Sequence, residues 1–255
     1  MAPGFWFAFS LTLLAGLSTG IGGLLSVLWR TPGNRFLAGS LGFSAGVMLY
    51  VSLVELLPEG MNSAGAATAV AAFFGGIAVI AIIDRLVPER VNPHEPVVLG
   101  APPSKRHLMR MSIMTAIAIA LHNFPEGFAT FITALEDPTI AVPIAVAIAI
   151  HNIPEGVAVA VPLREATGSR RKALLWSFLS GLAEPAGALV GFALLMALVG
   201  PVSMGIALAG VAGVMVFVSL DELLPTAQAT GEHHVAVYGL VLGMAVMATS
   251  LLLLA

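Results

Sequence analysis

The sequence predicts an all-α fold: a polytopic membrane protein with eight transmembrane helices. Three observations carry this. Of 255 residues, 58% are hydrophobic and only 10% charged, whereas a soluble domain carries about 25% charged residues. Eight apolar stretches can be marked, each near the roughly 20 residues that a spanning helix needs. All 11 Lys and Arg residues fall in or beside three of the connections between them. Long apolar runs rich in Gly and Ala suit packed helices rather than barrel strands. The length fits one compact bundle, residues 1–255, without a second domain.

The expected spans are Phe5–Trp29, Phe36–Leu57, Ala64–Ile83, Leu108–Leu135, Thr139–Leu163, Ala173–Val199, Val202–Leu224 and Val235–Leu254. The first is followed by Arg30 and Arg35 with no small-residue cleavage site, so it reads as a retained span and not a signal peptide. The connection after span three holds Arg85, Arg90, Lys105, Arg106 and Arg110, and the one after span five holds Arg164, Arg170, Arg171 and Lys172. With eight spans these basic connections share one side. The positive-inside rule makes that side the cytoplasm, with both termini outside the cell membrane. The longest connection, residues 87–107, is then cytoplasmic and holds His94 and His107; the last cytoplasmic turn holds His233 and His234. No basic face exists for nucleic acid. There is no cysteine, which removes disulfides and thiolate metal sites.

Two repeats organise the chain. The segment from Gly46 to Pro58 (GVMLYVSLVELLP) returns as Gly213 to Pro225 (GVMVFVSLDELLP), and Gly16-Leu-Ser-Thr19 returns more weakly as Gly181-Leu-Ala-Glu184. Spans one to three therefore repeat as spans six to eight. Five spans separate the equivalents, an odd number, so the copies point in opposite directions across the membrane. Inverted repeats around a midplane site are a mark of secondary transporters. Between them lies a shorter repeat, HNFPEG at His122–Gly127 and HNIPEG at His151–Gly156, one copy each in spans four and five.

This hexapeptide puts ionisable groups deep in a membrane, at a cost of roughly 2.5–3.5 kcal/mol per charge. On a helix the residues turn about 100° each, so Glu126 projects about 40° from His122, between it and Asn123. His151, Asn152 and Glu155 repeat the pattern. Two such helices face to face offer two imidazoles, two amides and two carboxylates, each carboxylate able to serve two neighbouring ions. Glu184 in span six adds a third carboxylate where its repeat mate is Thr19. No Lys or Arg falls mid-span, so protons or imported cations must neutralise these groups. Imidazole, carboxylate and amide together suit Zn²⁺, Fe²⁺ or Mn²⁺. Pro125 and Pro154 each withhold a helical N–H, which would free the Leu121 and Ile150 carbonyls beside a cavity. Glu55 and Glu222, which are repeat mates, fall with Asp221 near opposite ends of the pathway. Met48 lies two turns before Glu55 and could add a thioether.

At these residues the chain resembles the ZIP (Zrt/Irt-like) family of divalent-metal transporters, and the bacterial ZupT-type zinc transporters within it. The resemblance covers nearly the whole chain. It implies a 3+2+3 helix bundle, often a homodimer, that moves Zn²⁺ and other divalent cations into the cytoplasm without a resident cofactor. It also implies that His122, Glu126, His151 and Glu155 hold one metal, and that Asn123, Glu126, Asn152, Glu155 and Glu184 hold a second. Met48 matches a transport-site methionine of some relatives. The middle loop departs from the family in lacking a dense histidine run. A membrane metalloenzyme is the rival from another class, but an intramembrane zinc protease would carry His-Glu-x-x-His, which is absent. A metal sensor without transport fits the ligands and leaves the inverted repeat unexplained.

Overall fold

The computed structural model describes residues 4–28, 33–86, 105–136, 138–198 and 201–254. Among these residues the regular structure is all helical. The helices are α1 (Phe5–Leu28), α2 (Asn34–Val51), α3 (Leu57–Ala64), α4 (Ala66–Leu86), α5 (Lys105–Glu136), α6 (Pro138–Thr167), α7 (Arg170–Gly181), α8 (Ala183–Leu198), α9 (Pro201–Val218), α10 (Leu224–Ala229) and α11 (His233–Leu254). A π-helical turn, Ser52–Leu56, joins α2 to α3, and a second, Ser219–Leu223, joins α9 to α10.

Seven helical segments among the described residues are long and apolar enough to cross a membrane. They are α1, α2 through α3, α4, α6, α7 through α8, α9 through α10, and α11. The eighth expected span lies within α5, an unbroken helix of 32 residues. Several α5 side chains, His107 and His122 among them, lie outside the described residues, as does the connection that holds His94.

Burial orders the spans. About 67% of the α6 span is buried, against 17% for α4 and 22% for α11. So α6 runs through the middle, while α4 and α11 turn apolar side chains such as Phe74, Val79, Val241 and Leu242 outward, as lipid-facing helices do. With no apolar driving force between helices in lipid, close packing must hold them together. Glycine provides it here. A methyl group on Gly22 would collide with the Ile153 carbonyl, and one on Gly187 with the Phe124 carbonyl. Likewise Gly156 meets the Thr19 carbonyl and Gly127 meets Glu184.

These contacts come in pairs related by the sequence repeats. Gly22 and Gly187 are repeat mates, and so are Ile153 and Phe124, and Thr19 and Glu184. The rule extends to the outer helices. Gly46 lies against the Leu240 carbonyl and Gly213 against that of Phe73, the same contact moved along by one repeat. Both π-helical turns also occupy matching places in the repeated segment. Neither turn was expected from sequence. Each opens the backbone where a carboxylate is carried, Glu55 in the first and Asp221 and Glu222 in the second.

Several hydroxyls inside the bundle turn back onto their own helices. Thr12 donates to the Ala8 carbonyl at 3.0 Å, Thr130 to Glu126 at 2.9 Å and Ser219 to Met215 at 2.7 Å. This satisfies polar groups that lipid cannot.

Candidate metal centre

Three helices converge on one buried polar cluster. From α6 come His151, Asn152 and Glu155; from α5 come Asn123 and Glu126; from α8 comes Glu184. All six are 0% exposed. Both α5 and α6 run unbroken through Pro125 and Pro154, so the spacing of the hexapeptide remains helical and its polar residues stay within one turn. Glu184 is delivered differently. Regular helix pauses at Leu182, between α7 and α8, because Pro185 has no N–H to give the Gly181 carbonyl. Glu184 thereby falls in the first turn of α8, where the helix dipole favours a carboxylate.

The cluster is tied together across helices. His151 Nε2 lies 2.9 Å from Glu126 Oε1 and 4.0 Å from Glu155 Oε1, so the imidazole stands between the two hexapeptide carboxylates. Its Nδ1 is 3.2 Å from the Ala147 carbonyl. A carbonyl can only accept, so that contact places a proton on Nδ1, and the 2.9 Å contact of Nε2 with Glu126 holds a proton between them, which a metal bound at Nε2 would replace. The Asn152 amide donates to the Ala15 carbonyl at 3.0 Å and also to Glu184 Oε1. Asn123 donates to the Ser180 carbonyl at 3.3 Å. With their N–H groups committed to neighbours, both asparagines are fixed with their oxygens available.

The buried oxygens without a hydrogen-bond partner among the described residues include Asn123 Oδ1, Asn152 Oδ1, Glu126 Oε2 and Glu184 Oε2 of this cluster. Each such group costs about 1–3 kcal/mol. Several open acceptors in one cluster, with no cationic side chain mid-span, fit a divalent cation as the missing partner. Among the described residues no three His, Asp or Glu side chains are already grouped closely enough to hold an ion. The cluster is instead closed on itself, through the His151–Glu126 and Asn152–Glu184 contacts that an entering cation would replace. The His122 side chain lies outside the described residues.

Of the other residues singled out by sequence, Met48 is fully buried on α2. Glu55 and Asp221 are half-buried and Glu222 is buried, each within a π-helical turn. His233 and His234 are exposed, their rings 5.5 Å apart, with His234 stacked on Tyr238; they are remote in sequence from the hexapeptides. One residue of the cluster was missed. Ser44 of α2 donates its hydroxyl to Glu155 Oε1 at 2.7 Å. Its position one turn before Met48 was the available signal, since both fall on one helix face.

The sequence has counterparts among known proteins. A family model described as ZIP Zinc transporter matches residues 100–251. A relative named Zinc transporter ZupT from Corynebacterium glutamicum is 64% identical over 259 residues, covering 97% of this chain and 98% of its own. The chain belongs to the ZIP family. Other ZIP relatives of the same name come from Streptococcus mutans, 56% identical with 96% of this chain and 97% of the relative covered, and from Chlorobium limicola, 55% identical with 98% and 99% covered. ZIP proteins are membrane transporters and not enzymes. They carry no cofactor, and the metal is their cargo.

Proposed function

We propose that the chain carries Zn²⁺, with Fe²⁺ and Mn²⁺ as further substrates, across the cell membrane into the cytoplasm through a binuclear site at mid-membrane. The observation that carries this reading is the set of open, fully buried oxygens on Glu126, Glu184, Asn123 and Asn152 around His151. In the proposed site His122, Glu126, His151 and Glu155 bind the first ion. Asn123, Asn152 and Glu184 complete the second, with Glu126 and Glu155 bridging. Bridged divalent ions stand about 3.5–4 Å apart, a separation that two carboxylates on facing helices can span.

The whole chain forms one transport domain in this reading, with α5 as the eighth span in a 3+2+3 bundle. The paired glycine contacts and paired π-helical turns support an inverted repeat, with α5 and α6 as the central two helices. Such a repeat lets either half open in turn, so the site meets one side of the membrane at a time. Glu55 then lies toward the outer mouth, and Asp221 and Glu222 toward the inner one. Both termini face out. A homodimer is the assembly that the family resemblance implies, and the mass of the solubilised protein by light scattering decides it.

Zinc uptake into proteoliposomes tests the site. Glu126→Ala and Glu155→Ala should each abolish uptake while the protein still elutes as a single species. Uptake at the parent rate by either variant would refute the bridging role. Orientation has its own measurement. A cysteine placed at Arg170 should resist an impermeant thiol reagent added outside intact cells; ready labelling would reverse the assigned topology.

A further inference from the structure

Helix α1 carries one buried hydroxyl that its own turns do not use. Thr12, Ser18 and Ser26 each donate to a carbonyl one turn earlier. Thr19 is 0% exposed, and its hydroxyl has no hydrogen-bond partner among the described residues. The acceptor it would use in the same way is the Ala15 carbonyl, four residues back. That oxygen already accepts from Ser18 and from Asn152, and a carbonyl has two lone pairs. The Thr19 hydroxyl is thereby left over at a depth where an unmet polar group is costly.

Its surroundings match those of Glu184, its repeat mate. A methyl group on Gly16 would press on the Glu184 side chain, and one on Gly181 on that of Thr19. Gly16 and Gly181 are themselves repeat mates, so Thr19 and Glu184 flank one glycine crossing from its two sides. Beside Gly16, Asn152 donates to the Ala15 carbonyl; beside Gly181, Asn123 donates to the Ser180 carbonyl. On the first side the Asn152 amide also reaches Glu184. On the second, the threonine arm is two bonds shorter, and the Thr19 hydroxyl and Asn123 Oδ1 both stay open among the described residues.

The ligands proposed for the second ion come largely in repeat-related pairs, Asn123 with Asn152 and Glu126 with Glu155. An ion shared by such pairs sits near the axis that relates the two halves. Glu184 approaches it from one side, and Thr19 holds the matching place on the other. With one oxygen from each of these four residues and from Glu184, one corner of an octahedron, the form that all-oxygen sites take, remains for water. We infer that Thr19 is a positioning residue for that corner: its hydroxyl accepts a hydrogen bond from a water that the second ion retains. The ion and the hydroxyl together give this water the polar partners that a buried water needs. A neutral group there also spares the ion a fourth carboxylate that would hold it too tightly to leave. The inference rests on the two-ion reading above, and its test separates the two.

Calorimetric titration of the purified protein with Zn²⁺ is the measurement, and the melting temperature of the zinc-free protein reports folding. Thr19→Val keeps the side-chain shape and removes the hydroxyl. It should weaken the second ion about tenfold or more, as loss of a residue supporting a metal shell does, and leave the first ion and the zinc-free melting temperature at parent values. Thr19→Ser keeps the hydroxyl and should bind the second ion as the parent does. Thr19→Asp offers a carboxylate in the water's place and should tighten the second ion about tenfold or more, with slower zinc uptake into proteoliposomes; it carries the test should Thr19→Val not fold. A second-ion affinity unchanged in Thr19→Val or in Thr19→Asp would overturn the assignment. Equal weakening in Thr19→Val and Thr19→Ser would overturn it too, making Thr19 a packing residue. Should the parent bind a single zinc ion, the two-ion reading itself fails. Should it bind two while the Thr19 variants keep the parent affinities, only the Thr19 inference fails.

Discussion

The two copies of the hexapeptide differ at a single position, Phe124 against Ile153, yet their carboxylates are held differently. On α6, Glu155 accepts a hydrogen bond from Ser44 at 2.7 Å. On α5, Glu126 meets His151 through Oε1 and keeps Oε2 open beside a cavity. The difference comes from the flanking repeat. The residue that corresponds to Ser44 in the second copy is Val211, which has no hydroxyl to give. One carboxylate is therefore anchored to the surrounding bundle and the other keeps an open oxygen. Near-identical ligands can thus form unlike halves of one site, with the helices around them setting the roles.

The comparison breaks most completely at Glu184, the carboxylate that only the second repeat carries. Glu184→Ala should lower the bound zinc from two ions per chain to one, counted by elemental analysis of purified protein. Two ions retained would remove Glu184 from the ligand set. A smaller effect tests the backbone symmetry. Gly22→Ala and Gly187→Ala each force a methyl group against a carbonyl in equivalent contacts, and overpacking of this kind costs roughly 1–3 kcal/mol. The two variants should lower the melting temperature in detergent by similar amounts. A large inequality would show that the two halves are packed differently, despite their matching contacts.

The finest test removes the anchor. Ser44→Val gives α2 the residue that α9 already has. Loss of a hydrogen bond to a charged group is worth about 1.5–3 kcal/mol, so the apparent zinc affinity should fall roughly tenfold or more. Val211→Ser then asks whether a hydroxyl on the opposite side can anchor Glu126 in the same way. Zinc titration of flux measures both, and an unchanged affinity in Ser44→Val would make its hydroxyl a bystander.

Much of this was legible in the sequence because membrane chemistry leaves few choices. An apolar run must be a helix or a closed barrel to satisfy its backbone, so the helical class followed from composition. The buried cluster was legible for a related reason. Carboxylates and imidazole are too costly at that depth to be incidental, and their spacing on a helix brings them to one face. What escaped was decided by neighbours distant in the chain. Ser44 looked like one small residue among many, since its partner Glu155 lies 111 positions away. The π-helical turns were invisible because their segments read as ordinary helix.

The sequence by itself determined that this protein crosses a membrane, that it repeats, and which ionisable side chains need compensation inside the bundle. Desolvation makes those statements local: each charge must be compensated wherever the chain goes. Only the tertiary structure decided how the two halves differ, because that depends on which helix lies against which carboxylate. Ser44 reaches Glu155, while Val211 stands at the matching place in the other half. Hydrogen bonds and glycine contacts act over a few ångströms, and only the folded bundle brings those atoms together.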